Sequence, residues 1–143
     1  MKADVYSRKQ ACALQPIEGS VIISISYPEE DAVLQEGWEA VLRLRYHEAT
    51  RRCDTLSKDP IIFSKYMAEV IDSFVQEHKD KNFVIHCHSG QRRSVAIAMF
   101  LKDAFGAEVT AHIGYARDGD IWWAERTSMA EYQILMEPYV SRG

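Results

Sequence analysis

The chain has 143 residues, 47% of them hydrophobic, and a formal net charge of −4 at pH 7. That is one domain's worth of chain, residues 1–143, with enough apolar side chains for a core, which excludes a disordered polypeptide. The acidic balance gives no electrostatic reason to bind nucleic acid or anionic membranes, and no apolar run is long enough to span a bilayer.

The N-terminus, Met1-Lys2-Ala3-Asp4, has none of the features of a signal peptide. Cys12, Cys53 and Cys87 make neither an even disulfide framework nor a metal-ligand spacing, so no metal and no cofactor are expected. A reducing cytoplasm is the consistent compartment. Cys12 is expected to be a small core residue.

The first predicted strand is Val21-Ile22-Ile23-Ser24-Ile25, ended by Tyr27-Pro28 and an acidic turn at Glu29, Glu30 and Asp31. A second runs from Val41 to Tyr46, its alternation turning Leu42 and Leu44 inward and Arg43 and Arg45 outward. Ile61, Ile62, Phe63, Met67, Val70, Ile71 and Phe74 carry helical spacing, predicting an amphipathic helix that begins near Pro60. Its outer side carries Lys65, Glu69 and Asp72. Phe83 to Ile85 reads as a buried strand, and Val95 to Leu101 as an apolar helix closed by Gly106. Adjacent Trp122 and Trp123 are assigned to packing. Ser128-Met129-Ala130-Glu131 has the capping-box pattern of a last helix running to about Tyr139. Strands alternating with helices predict an α/β domain with a central, mostly parallel sheet flanked by helices.

Between the buried strand and the apolar helix lies His86-Cys87-His88-Ser89-Gly90-Gln91-Arg92-Arg93-Ser94. Unpaired N–H groups and the positive end of the helix dipole converge at such a junction, which suits a bound dianion. Cys87 is a candidate thiolate nucleophile there. Gly90 tolerates a positive φ, letting successive amides turn inward, and Arg93 supplies a planar fork that matches two phosphate oxygens. Ser94 can donate to the sulfur as it departs, while His86 orients the loop through hydrogen bonds. His88 and Arg92 are expected to face solvent, and Gln91 is a variable-type loop position.

His86, Cys87, Gly90, Arg93 and Ser94 match the His-Cys-x-x-Gly-x-x-Arg-Ser/Thr signature, and the chain resembles the cysteine-dependent protein tyrosine phosphatases, in size their compact dual-specificity branch. The resemblance implies a protein tyrosine phosphatase-like fold and metal-free hydrolysis of phosphotyrosine, with phosphoserine or phosphothreonine as further substrates. It also implies a general acid on a loop upstream of the signature. Asp54 lies at the family's usual interval, Glu48 follows the strand ending at Tyr46, and Asp59 competes as the helix N-cap before Pro60. Cys53, beside Asp54, could form a protective disulfide with Cys87 if the acid loop closes on the pocket. Two other classes use related loops: a phosphate-binding pseudophosphatase without turnover, and a thiol-dependent arsenate reductase or sulfurtransferase. Phosphoinositide and RNA 5′-phosphate hydrolases usually add basic residues, of which this chain has few beyond Arg51-Arg52 and Arg92-Arg93.

Overall fold

The computed structural model describes residues 1–47, 61–112 and 126–140. In chain order its elements are β1 (Lys2–Ser7), α1 (Arg8–Ala13), β2 (Ser20–Ser26), β3 (Val41–Arg45), α2 (Lys65–Glu77), β4 (Asn82–Cys87), α3 (Arg93–Phe105), β5 (Glu108–Ala111) and α4 (Ala130–Val140). The five strands form one sheet in the order β3-β2-β4-β1-β5, and every pairing is parallel. The α/β architecture with a parallel central sheet and flanking helices is therefore present as the alternation of elements predicts.

β4 sits mid-sheet between β2 and β1, with Ser24 opposite His86 on one side and Ser7 opposite Cys87 on the other. Strands covered on both faces need apolar residues at nearly every position, and all of β2 is buried. Val21, Ile23, Ile25, Phe83 and Ile85 point into the larger core, shared with Ile71 and Val75 of α2, Val95 to Leu101 of α3 and Leu135 of α4. Ile22 and Val84 point the other way, against Trp38, Tyr6, Leu14 and Leu34.

α3 is the central helix: every residue from Arg93 to Leu101 is buried, and Gly106 ends it at φ +72° with its N–H bonded back to Leu101 and Lys102. Full burial of Phe100 and Leu101 contributes about 2 kcal/mol for each side chain. That anchors the helix whose first turn follows the loop after Cys87.

Several expectations need correction. The amphipathic helix begins at Lys65, not near Pro60, because the Ser64 hydroxyl accepts from the Met67 N–H and caps it there. Ile61 and Ile62 precede that cap and are exposed. The last helix is Ala130–Val140. Glu131 is buried and accepts a hydrogen bond from the Tyr46 hydroxyl at 3.2 Å. The second strand ends at Arg45, one residue before Tyr46. Cys12 is half-buried on α1 and outside the core.

β1, α1 and β5 are elements that the sequence reading leaves out. β1 and β5 are short, and α1 owes its start to a capping box in which Ser7 Oγ accepts from Gln10 N–H while Gln10 accepts from Ser7 N–H. No helix of the described residues is long and apolar enough to cross a membrane.

Candidate active site

Parallel strands bring their carboxyl ends to one edge of the sheet, and open α/β sheets bind ligands in the crevice beyond that edge. β4 ends there with Cys87, β2 is followed by Tyr27 and β3 by Tyr46, and the loop 88–92 leads into α3. The sheet topology therefore gathers three separated stretches of sequence around one cysteine.

The Cys87 side chain is buried, and two groups converge on its sulfur: the Gly90 N–H at 3.3 Å and the Ser94 hydroxyl at 3.1 Å. With sulfur as thiolate, both are donors. Arg92 occupies the N-cap position of α3 and makes no side-chain cap bond, so the first-turn amides stay available to an anion at the loop.

The loop is held from three sides. Gly90 has φ +74° and sits against the end of β1. The Arg8 N–H donates to the His88 carbonyl at 3.1 Å, and Arg126 Nε donates to the Gln91 carbonyl at 2.6 Å. Within the loop, the Gln91 N–H donates to Ser89 Oγ at 3.3 Å. His88, Ser89 and Arg92 are exposed and Gln91 half-buried.

Arg93 opens α3 yet is buried. Its Nη1 donates to the Tyr46 carbonyl at 3.0 Å, and its guanidinium carbon lies 4.6 Å from the centre of the Tyr27 ring and 5.7 Å from that of Tyr46. Burial, and secondarily the Glu131 carboxylate, push the Tyr46 phenol well above its ordinary value, so it stays a neutral donor to Glu131.

His86 lies beneath the loop with no solvent exposure. Burial lowers its pKa to about 4, against a smaller opposing effect from its bond to the Cys87 carbonyl, and nearby Arg8, Arg43 and Arg93 lower it further. The ring is neutral at pH 7, and its tautomer follows from its partners. A carbonyl only accepts, so Nδ1 carries the proton toward the Cys87 carbonyl at 3.3 Å. Nε2 then accepts from the Ser24 hydroxyl at 2.6 Å. A neutral imidazole bonded at both nitrogens orients the backbone at Cys87.

Glu48, Asp54 and Asp59 lie outside the described residues, as do Cys53, Arg51, Arg52, Trp122 and Trp123. The residues that flank the segment 48–60 are joined: the His47 N–H donates to the Ile61 carbonyl at 2.6 Å, and the Ile61 N–H donates to His47 Nδ1 at 3.0 Å. This junction adjoins Tyr46, whose carbonyl holds Arg93.

Ser24, Tyr27, Tyr46 and Arg126 are site neighbours that motif reading misses. For the two tyrosines a signal was present, since each closely follows the carboxyl end of a predicted strand. A groove between α2 and α4, lined by Lys65, Asp72, Leu135 and Pro138 among others, shares no residue with the Cys87 loop and is lined by no cysteine, serine or threonine. Among the described residues no three His, Cys, Asp or Glu side chains converge as a metal site.

No family model matches the chain, and no curated protein matches it. Among solved structures, the crystal structure of the human tyrosine phosphatase-like serine/threonine/tyrosine-interacting protein is similar, at 17% identity and a TM-score of 0.46. The match covers 86% of this chain and 77% of that one. Such a likeness bears on neither substrate nor activity.

Proposed function

We propose that the chain is a cysteine-dependent phosphate-monoester hydrolase, of the compact dual-specificity type, acting on phosphotyrosine in proteins and secondarily on phosphoserine or phosphothreonine. The observation that carries this reading is the convergence of the Gly90 N–H and the Ser94 hydroxyl on Cys87 Sγ at the uncapped start of α3, with Arg93 opening the same helix.

In the proposed mechanism the Cys87 thiolate attacks phosphorus in line with the departing oxygen, while the loop amides and Arg93 hold the equatorial oxygens. A sulfur–phosphorus bond forms as the phosphorus–oxygen bond breaks, and a carboxylic acid gives the leaving oxygen its proton. Water then attacks the cysteinyl phosphate, losing a proton to the same carboxylate, and the thiolate departs against the Ser94 hydroxyl. Asp54 and Glu48 remain the two acids proposed. No metal takes part in either step, and a reducing compartment such as the cytoplasm suits the thiolate.

The test is release of p-nitrophenol from p-nitrophenyl phosphate in the presence of chelator, comparing the native chain with Cys87→Ser and Arg93→Ala. Hydrolysis by the native chain that both substitutions abolish is the expected result. A folded native chain that binds orthovanadate without hydrolysing the ester would instead be a phosphate-binding module. Consumption of thiol reductant with arsenate, or transfer of sulfur, would assign the loop to the other alternative class.

A further inference from the structure

Arg93 combines deep burial with partners that, among the described residues, include no carboxylate. Among the described residues, none of the ion pairs includes it. Its side chain is held by an edge bond to the Tyr46 carbonyl and by two rings, that of Tyr27 at 4.6 Å from the guanidinium carbon and, farther off, that of Tyr46 at 5.7 Å. We propose that Tyr27 is the positioning residue of Arg93: its ring fixes the plane of the guanidinium while leaving the remaining N–H edges free for two oxygens of a phosphate. The inference rests on the phosphatase reading for its kinetic consequences and on phosphate binding alone for its test.

The argument is one of geometry. A guanidinium has five N–H donors arranged around the rim of a flat ion, so a carboxylate partner occupies rim donors and cancels charge. An aromatic ring meets the face of the ion, is attracted to it, and consumes no donor. With the edge bond to the Tyr46 carbonyl and the Tyr27 ring closest to its carbon, the guanidinium loses rotation that would otherwise be frozen on substrate binding, and neither partner cancels its charge.

Tyr27 is itself well placed to be rigid. It follows the fully buried β2 directly and bridges to Glu30, whose N–H donates to the Tyr27 carbonyl at 3.1 Å. Arg8 Nη2 donates to Glu30 Oε1 at 3.1 Å, and the Arg8 N–H donates to the His88 carbonyl of the loop. One residue therefore ties the turn carrying Tyr27 to the loop carrying Cys87. The His47 and His88 rings lie 6.0 Å from the Tyr27 ring on either contact, completing an aromatic surround at the carboxyl edge of the sheet.

The experiment measures orthovanadate affinity by isothermal titration calorimetry, and kcat and KM for p-nitrophenyl phosphate, in Tyr27→Leu and Tyr27→Phe. Each is made in the native chain and in Arg93→Lys. Tyr27→Leu is expected to weaken vanadate about tenfold and to lower kcat more than it raises KM, because the fork matters most when charge spreads over the equatorial oxygens. Tyr27→Phe, which keeps the ring, should stay within about threefold of native. In Arg93→Lys, whose point charge cannot stack as a plane, Tyr27→Leu should change vanadate affinity less than threefold. An equal loss in both backgrounds, or an equal loss in Tyr27→Phe, would overturn the proposal. Tyr27→Met replaces Tyr27→Leu if the latter does not fold. Native protein that binds vanadate with this pattern but does not hydrolyse the ester would defeat the phosphatase reading while leaving the role of Tyr27 standing.

Discussion

Gly90 and Tyr6 are packed backbone to backbone: a Cβ on Gly90 would stand 2.8 Å from both the carbonyl carbon and the carbonyl oxygen of Tyr6. The last turn of β1 is thus the floor on which the loop around Cys87 rests, and the loop's curvature depends on a residue with no side chain. Gly90→Ala meets two penalties, the close contact and a φ of +74° that costs an L-residue about 1 kcal/mol. The loop must lift, and a misplacement of this kind lowers kcat about 100-fold. Gly106→Ala is the control, since its φ is +72° but nothing lies within 4 Å of the added carbon. It should lower the melting temperature slightly and leave kcat unchanged, as steady-state kinetics on p-nitrophenyl phosphate would check.

His86 makes stability depend on pH in a defined window. Its folded pKa of about 4 lies below the ordinary imidazole value of 6.5, so between these two values the unfolded chain binds the proton and the folded chain does not. Stability contributed by the neutral ring is therefore full above pH 6.5, falls as pH drops toward 4, and falls no further below it. The full difference is about 3 kcal/mol. Urea unfolding midpoints across that range should carry this component in the native chain and lack it in His86→Asn.

Ser94 is expected to matter most in the second step. Its hydroxyl lies 3.1 Å from Cys87 Sγ, where it can donate to the sulfur that leaves the cysteinyl phosphate. In Ser94→Ala the loss of one donor to a developing charge should lower kcat about 100-fold. Thiol attack is less affected, so rapid mixing should give a burst of p-nitrophenol close to one equivalent per site. A slow linear release without a burst would assign the hydroxyl to the first step.

Asp54 and Glu48 are separable by leaving group. The acid that protonates the departing oxygen matters little for p-nitrophenol and a great deal for phenol. Either Asp54→Asn or Glu48→Gln should lower kcat/KM, which reports the thiolate attack, for phenyl phosphate about 100-fold while changing that for p-nitrophenyl phosphate by less than about tenfold. The other substitution should leave the ratio of the two substrates at its native value.

Tyr46→Phe removes the donor to the buried Glu131 carboxylate but not the carbonyl that holds Arg93. Loss of one hydrogen bond to a charged group costs about 2 kcal/mol of stability. Thermal unfolding should record that loss, while kcat at a temperature well below the transition stays within about threefold of native.

By itself the sequence determined the class of fold and singled out the loop around Cys87. Alternating apolar strands and helices are local patterns of period, and the run from His86 to Ser94 is a contiguous segment that carries a cysteine, a glycine, an arginine and a hydroxyl close together in the chain. Such features survive in one dimension. The start of α2 at Lys65 was harder to see, because Ile61, Ile62 and Phe63 continue the apolar spacing and only the Ser64 cap interrupts it. β1 and β5 were not legible at all: each has few apolar residues, Ala3 and Val5 in one and Val109 and Ala111 in the other, and becomes a strand by pairing with partners far along the chain, Ala3 with Phe83 and Val109 in this case. Only the tertiary structure could bring Tyr27, Tyr46 and Ser24 to Cys87, since their nearness comes from parallel strands aligning their carboxyl ends, not from any spacing in the chain. The same is true of the space beneath Gly90. A sequence can mark a glycine as permissive, but that the backbone of Tyr6 fills the place of its missing side chain is decided by the packing of one strand against one loop.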